Sequence, residues 1–510
     1  MTLFETVLLL SAAAVILLQF ARHLGAPYPT LLALAGTLVA MLPGAPGVEI
    51  EPGLALALFI APALMDAAYD LPPRELRRNW LPVFSLAALA VIFTTAAVAA
   101  LAVGLTGMPL YAGIALGAIV APPDAAAATA VLSRFALPRQ TLSVLKGESL
   151  LNDAVALIIF GAALQFHSGR SDLAVILPDL GLAIPLGLLI GCAFARLYLA
   201  FAPRVAGTLG ATLFEIVTTF GAWVMAERLH ASAVLSMVAF AMIVARQAPD
   251  RQAPRDRVHS HAVWGAIVFM LNVFAFLLVG LQARTVLRQF EGDQIGSALL
   301  FAAAVVLVVV GVRLLWVLGY NRAIGRLKRR CAPARAPTLA QGLVVSWSGM
   351  RGLVTLAAAL ALPTSFPARD LILLSAFAVV LGTLVIQGLT LGPLIRRLQI
   401  GPDGSYDEEM RLARSQLIEA AEIHLQCSGG GAAARLRAEL DELRVAAEAR
   451  SHGKGGGGDA LRLECVARQR AVLSAMRMAG EIGDDVFQVL QQELDWTQLA
   501  HSRHERLEEG

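Results

Sequence analysis

Charge is scarce in this chain. Asp, Glu, Lys and Arg make up only 15% of its 510 residues, against 57% hydrophobic residues. That balance excludes an ordinary soluble protein, in which about a quarter of residues are charged. Cysteine is rare too: Cys192, Cys331, Cys427 and Cys465 show neither pairing nor ligand spacing, so free thiols are expected and a disulfide framework is not. No histidine falls in the middle of an apolar run, which argues against an intramembrane metal centre or a Ser–His protease site. There is no G-x-x-x-x-G-K-S/T loop to drive the chain with ATP, and no T-V-G-Y-G-like filter of a potassium channel. The first apolar block lacks a basic region ahead of it and a small-residue cleavage site after it, so no cleaved signal peptide is expected. With no catalytic cluster either, the chain reads as a non-enzyme.

What is abundant is apolar sequence in blocks of about 20 residues, the length that crosses a hydrocarbon core of about 30 Å. The expected class is an all-α polytopic membrane protein. Thirteen spans are expected, at 3–20, 29–46, 51–69, 81–104, 108–134, 147–167, 174–202, 206–226, 231–246, 262–284, 297–320, 339–362 and 371–395. Alternate loops test that count: nineteen Lys and Arg fall in the odd-numbered loops and five in the even-numbered ones. The positive-inside rule then places the N-terminus outside and the C-terminus in the cytoplasm; the expected location is a bacterial inner (cell) membrane. Residues 1–400 hold 28 Lys and Arg against 18 Asp and Glu, whereas 401–510 hold 13 against 20. The basic excess follows topology and gives no reason to expect nucleic acid; lipid is the expected surrounding. Residues 401–510 read as a small helical cytosolic domain, regulatory or dimer-supporting, with amphipathic helices at 404–427, 431–451, 460–479 and 484–507.

Polar residues inside the spans carry the functional reading. The sixth span contains Gly147–Ile159, GESLLNDAVALII. On a helix Ser149, Asn152 and Asp153 share one face, at i, i+3 and i+4. Glu148, five positions before Asp153, is turned roughly 140° away and needs a different partner. An ionisable group at mid-membrane costs about 2.5–3.5 kcal/mol on translocon scales, so one that is kept is expected to be used. Burial disfavours a bare carboxylate charge, so H+ and a small cation compete for Asp153. The fifth span contains Ala121-Pro122-Pro123-Asp124, where two prolines break the helix and leave Asp124 at the start of a second half-helix. Asp124 is read as a cap that also shapes an ion site. The twelfth span contains Trp347-Ser348-Gly349-Met350-Arg351-Gly352, whose glycines allow unwinding around a permanent positive charge. Glu148 is the natural partner for Arg351, in a structural ion pair. Two interrupted helices in oppositely oriented halves are the mark of an inverted-repeat secondary transporter. The third span adds Asp66, either a proton or cation relay or a hydrogen-bonded structural acid. Glu215 and Arg313 are given packing or pairing roles.

Taken together, Pro62–Asp66, Ala121–Ala125, Gly147–Asp153, Phe269–Gln282 (FMLNVFAFLLVGLQ), Gly349–Gly352 and Gln387–Pro393 (QGLTLGP) resemble the monovalent cation/proton antiporter family of bacterial NhaP-type and eukaryotic sodium/proton exchangers. The resemblance covers 1–397 and leaves the tail outside. It implies that Asp153 binds cation and proton in turn, with Ser149 and Asp124 completing the monovalent-cation site. It places Asp66 near the cytoplasmic approach and pairs Glu148 with Arg351. Asn152 stands where other antiporters have a second aspartate, which goes with electroneutral exchange. Pro123-Asp124-Ala125 departs from the family's usual Thr-Asp-Pro and lacks its hydroxyl, and Asp66 replaces a glutamate. A homodimer and no cofactor are implied; the substrates would be Na+, Li+ or K+ and H+. The alternatives are a K+/H+ antiporter on the same fold, or a cation channel or sensor with the tail as its responsive part.

Overall fold

A computed structural model describes residues 3–42, 51–69, 73–168, 173–251, 254–290, 294–331 and 338–401, and beyond them 412–413, 416–417, 419–423, 457–479, 490–491, 493–494 and 496–498. Every regular element among them is a helix, as expected where backbone groups must find partners without water. The chain divides into two compact units, 1–401 and 402–510.

The first unit opens with α1 (Leu3–Leu24), α2 (Tyr28–Met41), α3 (Pro52–Tyr69) and the short α4 (Pro73–Arg78). The next rod is α5 (Trp80–Phe84) and α6 (Val91–Thr106), joined by a π-helical stretch at Ser85–Ala90. At this widened turn Trp316 Nε1 donates to the Ser85 carbonyl and hydroxyl, each at 3.2 Å, and its ring stacks on Phe93. There follow α7 (Leu110–Val120), α8 (Ala125–Leu132), α9 (Arg139–His167), α10 (Leu173–Val205), α11 (Leu209–Arg228), α12 (Ala233–Arg251), α13 (Pro254–Leu281) and α14 (Ala283–Leu287). The unit closes with α15 (Gln294–Cys331), α16 (Leu339–Trp347), α17 (Leu353–Leu360) and α18 (Arg369–Leu398).

Helices occupy every stretch that the sequence marks as apolar, and the fifth and twelfth stretches each hold two short helices with non-helical backbone between them. Six of the described helices are long and apolar enough to cross a membrane by length and composition, among them α9, α15 and α18. Leu300, Leu307 and Leu315 form one stripe along α15 and are 72–74% exposed, a surface suited to lipid rather than water. Inside, small residues let backbones meet. A Cβ on Gly280 would overlap the Ala33 carbonyl, and one on Gly36 the Leu277 carbonyl, so α2 and α13 cross at these two glycines. Likewise Gly187 and Gly191 of α10 lie against the Ser232 and Ser236 carbonyls beside α12.

One hydrophobic core is built mainly by α2, α7, α8, α13, α15, α17 and α18, and a second mainly by α3, α10, α11 and α12, with α3, α9 and α13 contributing to both. In the second unit, α19 (Gly457–Met478) is the helix expected at 460–479; it is amphipathic, with Val466 and Leu473 buried. The expected helix at 431–451 lies outside the described residues, and those at 404–427 and 484–507 are described only in part. Cys192 and Cys465 carry free thiols. The side chains of Cys331 and Cys427 lie outside the description.

Candidate functional site

Helix α9 runs unbroken through Gly147–Ile159, so its polar residues keep the angular spacing of a regular helix. Asn152 is fully buried, Asp153 is 9% exposed, and Ser149 stands one turn earlier, partly buried. Glu148, turned away from Asp153, is 1% exposed and accepts from the Arg313 guanidinium at 2.5 and 3.0 Å. The partner of Glu148 is therefore Arg313, not the expected Arg351. Arg313 also donates to the Ser346 and Val345 carbonyls at 3.2 and 3.1 Å, near the end of α16. It gets there because Gly349 has no side chain; a Cβ at Gly349 would overlap the guanidinium.

Arg351 has a different task. Its Nε donates to the Val120 carbonyl at 3.1 Å and its Nη2 to the Ala121 carbonyl at 3.1 Å, while Nη1 donates to the Gly349 carbonyl. The guanidinium thus caps the C-terminal end of α7, where the prolines that follow leave carbonyls without helical donors. A cation at that end also suits the helix dipole. The Arg351 backbone amide donates to Thr383 Oγ1 of α18 at 3.0 Å.

At the opposite side of the same break, Asp124 caps α8: its Oδ1 accepts from the Ala126 amide at 2.8 Å. Its backbone amide donates to the Met350 carbonyl at 2.7 Å, joining the two interruptions directly. Gly352, at the start of α17, lies so close that a Cβ there would overlap Asp124 Oδ2. One carboxylate therefore faces the positive ends of two half-helices. Asn152 ties α9 into the same place, its Nδ2 donating to the Pro123 carbonyl at 2.9 Å.

The structure brings Asn152, Asp124 and Arg351 together by hydrogen bonds to the two breaks, and Glu148 joins them through Arg313. Asp153 is different. Its carboxylate, 9% exposed, forms no hydrogen bond or ion pair among the described residues. Asp66 sits partly buried on α3, a helix that packs against both α9 and α17. Glu215 lies apart from this cluster, 1% exposed, accepting from Ser260 Oγ at 2.6 Å.

Sequence reasoning missed two things: Arg313 as the partner of Glu148, and Thr383 as the anchor of the Arg351 backbone. A lone arginine in an apolar span signals that an acid must face it, but five acids within the spans were available and spacing along the chain could not choose.

The family model described as "Sodium/hydrogen exchanger, transmembrane" matches residues 9–397. The chain belongs to the sodium/hydrogen exchanger family. The chain is 27% identical over 511 aligned positions to the uncharacterized Na(+)/H(+) exchanger YjcE of Escherichia coli, covering 92% of this chain and 93% of the relative. The family model stops at residue 397, as the sequence expectation has it, while the alignment to this one relative is longer than residues 1–401 alone could supply. The chain is 30% identical to the sodium, potassium, lithium and rubidium/H(+) antiporter of Bacillus pumilus, over 78% of this chain and 61% of that one. Its fold is that of the sodium proton antiporter MjNhaP1 from Methanocaldococcus jannaschii, with a TM-score of 0.56 at 19% identity, covering 78% of this chain and 99% of that one. The chain is an integral membrane protein, and its family moves Na+ or related monovalent cations against H+.

Proposed function

We propose that this exchanger is a secondary antiporter that moves Na+, and with it Li+ or K+, against H+ by alternating access, with cation and proton competing for Asp153. The observation that carries the proposal is the isolation of that carboxylate. Glu148 has Arg313, Arg351 has the end of α7, and Asp124 has the starts of α8 and α17, while Asp153 is buried with no partner among the described residues. The charges at the breaks are two guanidiniums and three carboxylates, which leaves one negative charge uncompensated. One H+ or one monovalent cation neutralises it, and neither can join the other without an excess charge in a medium that penalises it. Exchange is then one for one and electroneutral, with Asn152 supplying an amide where a second acid would add another charge. Ser149 and Asp124 complete the cation site, and Asp66 lies on its cytoplasmic approach.

In this reading residues 1–400 form the exchange domain, with thirteen crossings, an inverted repeat and two discontinuous helices, the N-terminus outside and the C-terminus in the cytoplasm of a bacterial cell. Residues 401–510 form a regulatory or dimer-supporting domain, and the working unit is a homodimer. A second reading, K+ as the main cation, is supported by the potassium in the name of the Bacillus pumilus relative.

The test is a cation jump on proteoliposomes that trap a pH-sensitive dye, run with Na+, Li+ and K+ at several pH values. Saturable proton counterflow, insensitive to an imposed membrane potential, is the expected result, and the order of apparent affinities decides between the two cation readings. No dye response to any of the three cations would sink the antiporter. A cation current without proton counterflow would make the chain a channel.

A further inference from the structure

The segment Gln387–Pro393, QGLTLGP, carries part of the family resemblance, and three of its residues set α18 against its neighbours. Gly388 leaves room for α2 and the second break: a Cβ there would meet Thr30 Oγ1 at 2.5 Å and Met350 Sδ at 3.6 Å. Thr390 Oγ1 accepts from Trp347 Nε1 at 2.8 Å. Gly392 seats Phe135, from the loop after α8, whose ring would lie 3.5 Å from a Cβ. Gln387 does none of this. It is 1% exposed, yet neither its Oε1 nor its Nε2 reaches a hydrogen-bond partner among the described residues.

A carboxamide has two donor hydrogens and an oxygen that accepts twice. Buried without partners it is a costly group, and a methionine of similar length would fill the same space without that cost. Gln387 stands one helical turn after Thr383, whose hydroxyl holds the Arg351 amide at 3.0 Å, so it is on the side of α18 that faces the second break. The first break is flanked by a second amide with spare capacity: Asn152 donates through Nδ2, but its buried Oδ1 has no partner among the described residues.

We propose that Gln387 is a further positioning residue of the exchange site, its amide taking a water molecule as hydrogen-bonding ligand beside the break between α16 and α17. Water suits it on both counts, donating to Oε1 and accepting from Nε2. The ligand is either a resident ordered water or a hydration water that arrives with the cation. In both cases it links α18 to the segment that carries Arg351 and Met350, and the Met350 carbonyl in turn holds Asp124. The effect on transport rests on the antiporter reading; the water site itself does not.

Gln387→Met removes both polar atoms and keeps the length of the side chain. In the proteoliposome assay its apparent KM for the cation should rise roughly tenfold while the maximal rate stays within about twofold, a split that a simple packing defect would not produce. Melting of Gln387→Met in cation-free buffer separates the sources: an unchanged or lower midpoint means a resident water, and a midpoint several degrees higher means that the water comes with the ion. Wild-type KM and rate in Gln387→Met, or a loss of rate at unchanged KM, would overturn the proposal. A cryo-EM map of the wild-type protein, fine enough to show ordered water, tests the site independently of transport. Density within hydrogen-bonding distance of Oε1 or Nε2, with or without cation, supports the site. Protein packed against the amide in both conditions ends it, even in a protein that exchanges ions normally. Absence of exchange in the wild-type protein would instead count against the antiporter.

Discussion

Asn152 and Pro123 are joined across two helices, the Asn152 Nδ2 donating to the Pro123 carbonyl at 2.9 Å. This bond fixes the residue beside Asp153 to the broken backbone beside Asp124. On α9 the Nδ2 of Asn152 thus holds the break, while the neighbouring Asp153 carboxylate makes no hydrogen bond among the described residues. Asn152→Ala should therefore behave as a structural variant. It strands a buried carbonyl, and the loss should be about 1–3 kcal/mol of stability, read as a lower melting midpoint in detergent. An unchanged midpoint would show that the carbonyl finds another donor.

Asp153→Asn removes a charge but no hydrogen bond. Its melting midpoint should equal or exceed that of the wild type, because a buried unpaired carboxylate is replaced by a neutral group of the same shape. Cation-dependent proton movement in proteoliposomes should vanish. Wild-type rates in this variant would end the proposed mechanism.

The pairing of Glu148 with Arg313 predicts a specific pattern of rescue. Removing either member alone leaves a buried uncompensated charge and should cost about 3–5 kcal/mol, seen as loss of folded protein. Glu148→Gln combined with Arg313→Met should restore folded yield, whereas Glu148→Gln combined with Arg351→Met should not. Equal rescue by the two doubles would mean that the charge is shared rather than paired.

Gly352 is held to its identity by the Asp124 carboxylate. Gly352→Ala drives a methyl group into Oδ2, and the strain should cost about 1–3 kcal/mol together with a large loss of exchange rate. Gly104→Ala is the control, since a Cβ at Gly104 meets nothing within 4 Å. Melting and transport of the two variants, measured side by side, check this; equal behaviour would contradict the close approach.

Competition for one carboxylate sets the sign of the pH dependence. Lowering the pH fills Asp153 with protons and leaves less of it for cation. On the acid limb the apparent KM for cation should thus rise about tenfold per pH unit, with the maximal rate at saturating cation less affected. Initial rates over a grid of cation concentration and pH measure it. An apparent KM that does not move with pH would mean that proton and cation bind at separate places.

Much of the site was legible in the sequence because each feature announces itself locally. Pro122-Pro123 cannot continue a helix, a carboxylate at position 124 then falls at a helix start, and Gly349 and Gly352 frame a weak point in an otherwise apolar run. Helical spacing put Glu148 off the face of Asp153, and the structure agrees. What spacing could not supply was the choice of partners. Arg313 and Arg351 are both single cations in apolar sequence, and nothing along the chain says which of them meets an acid and which meets carbonyls. Thr383 and Gln387 look alike as isolated polar residues on α18, yet one holds a backbone amide and the other has no partner among the described residues.

By itself the sequence determined that the chain lives in lipid, where its helices begin and break, and which acids are too costly to be idle, because those properties follow from local composition and backbone chemistry. Only the tertiary structure decided which charge neutralises which. Pairing depends on distances between helices far apart in the chain, and here those distances are set by glycines that let a guanidinium or a carboxylate approach bare backbone. That selection is what leaves Asp153, among the described residues, the unpaired acid at the breaks.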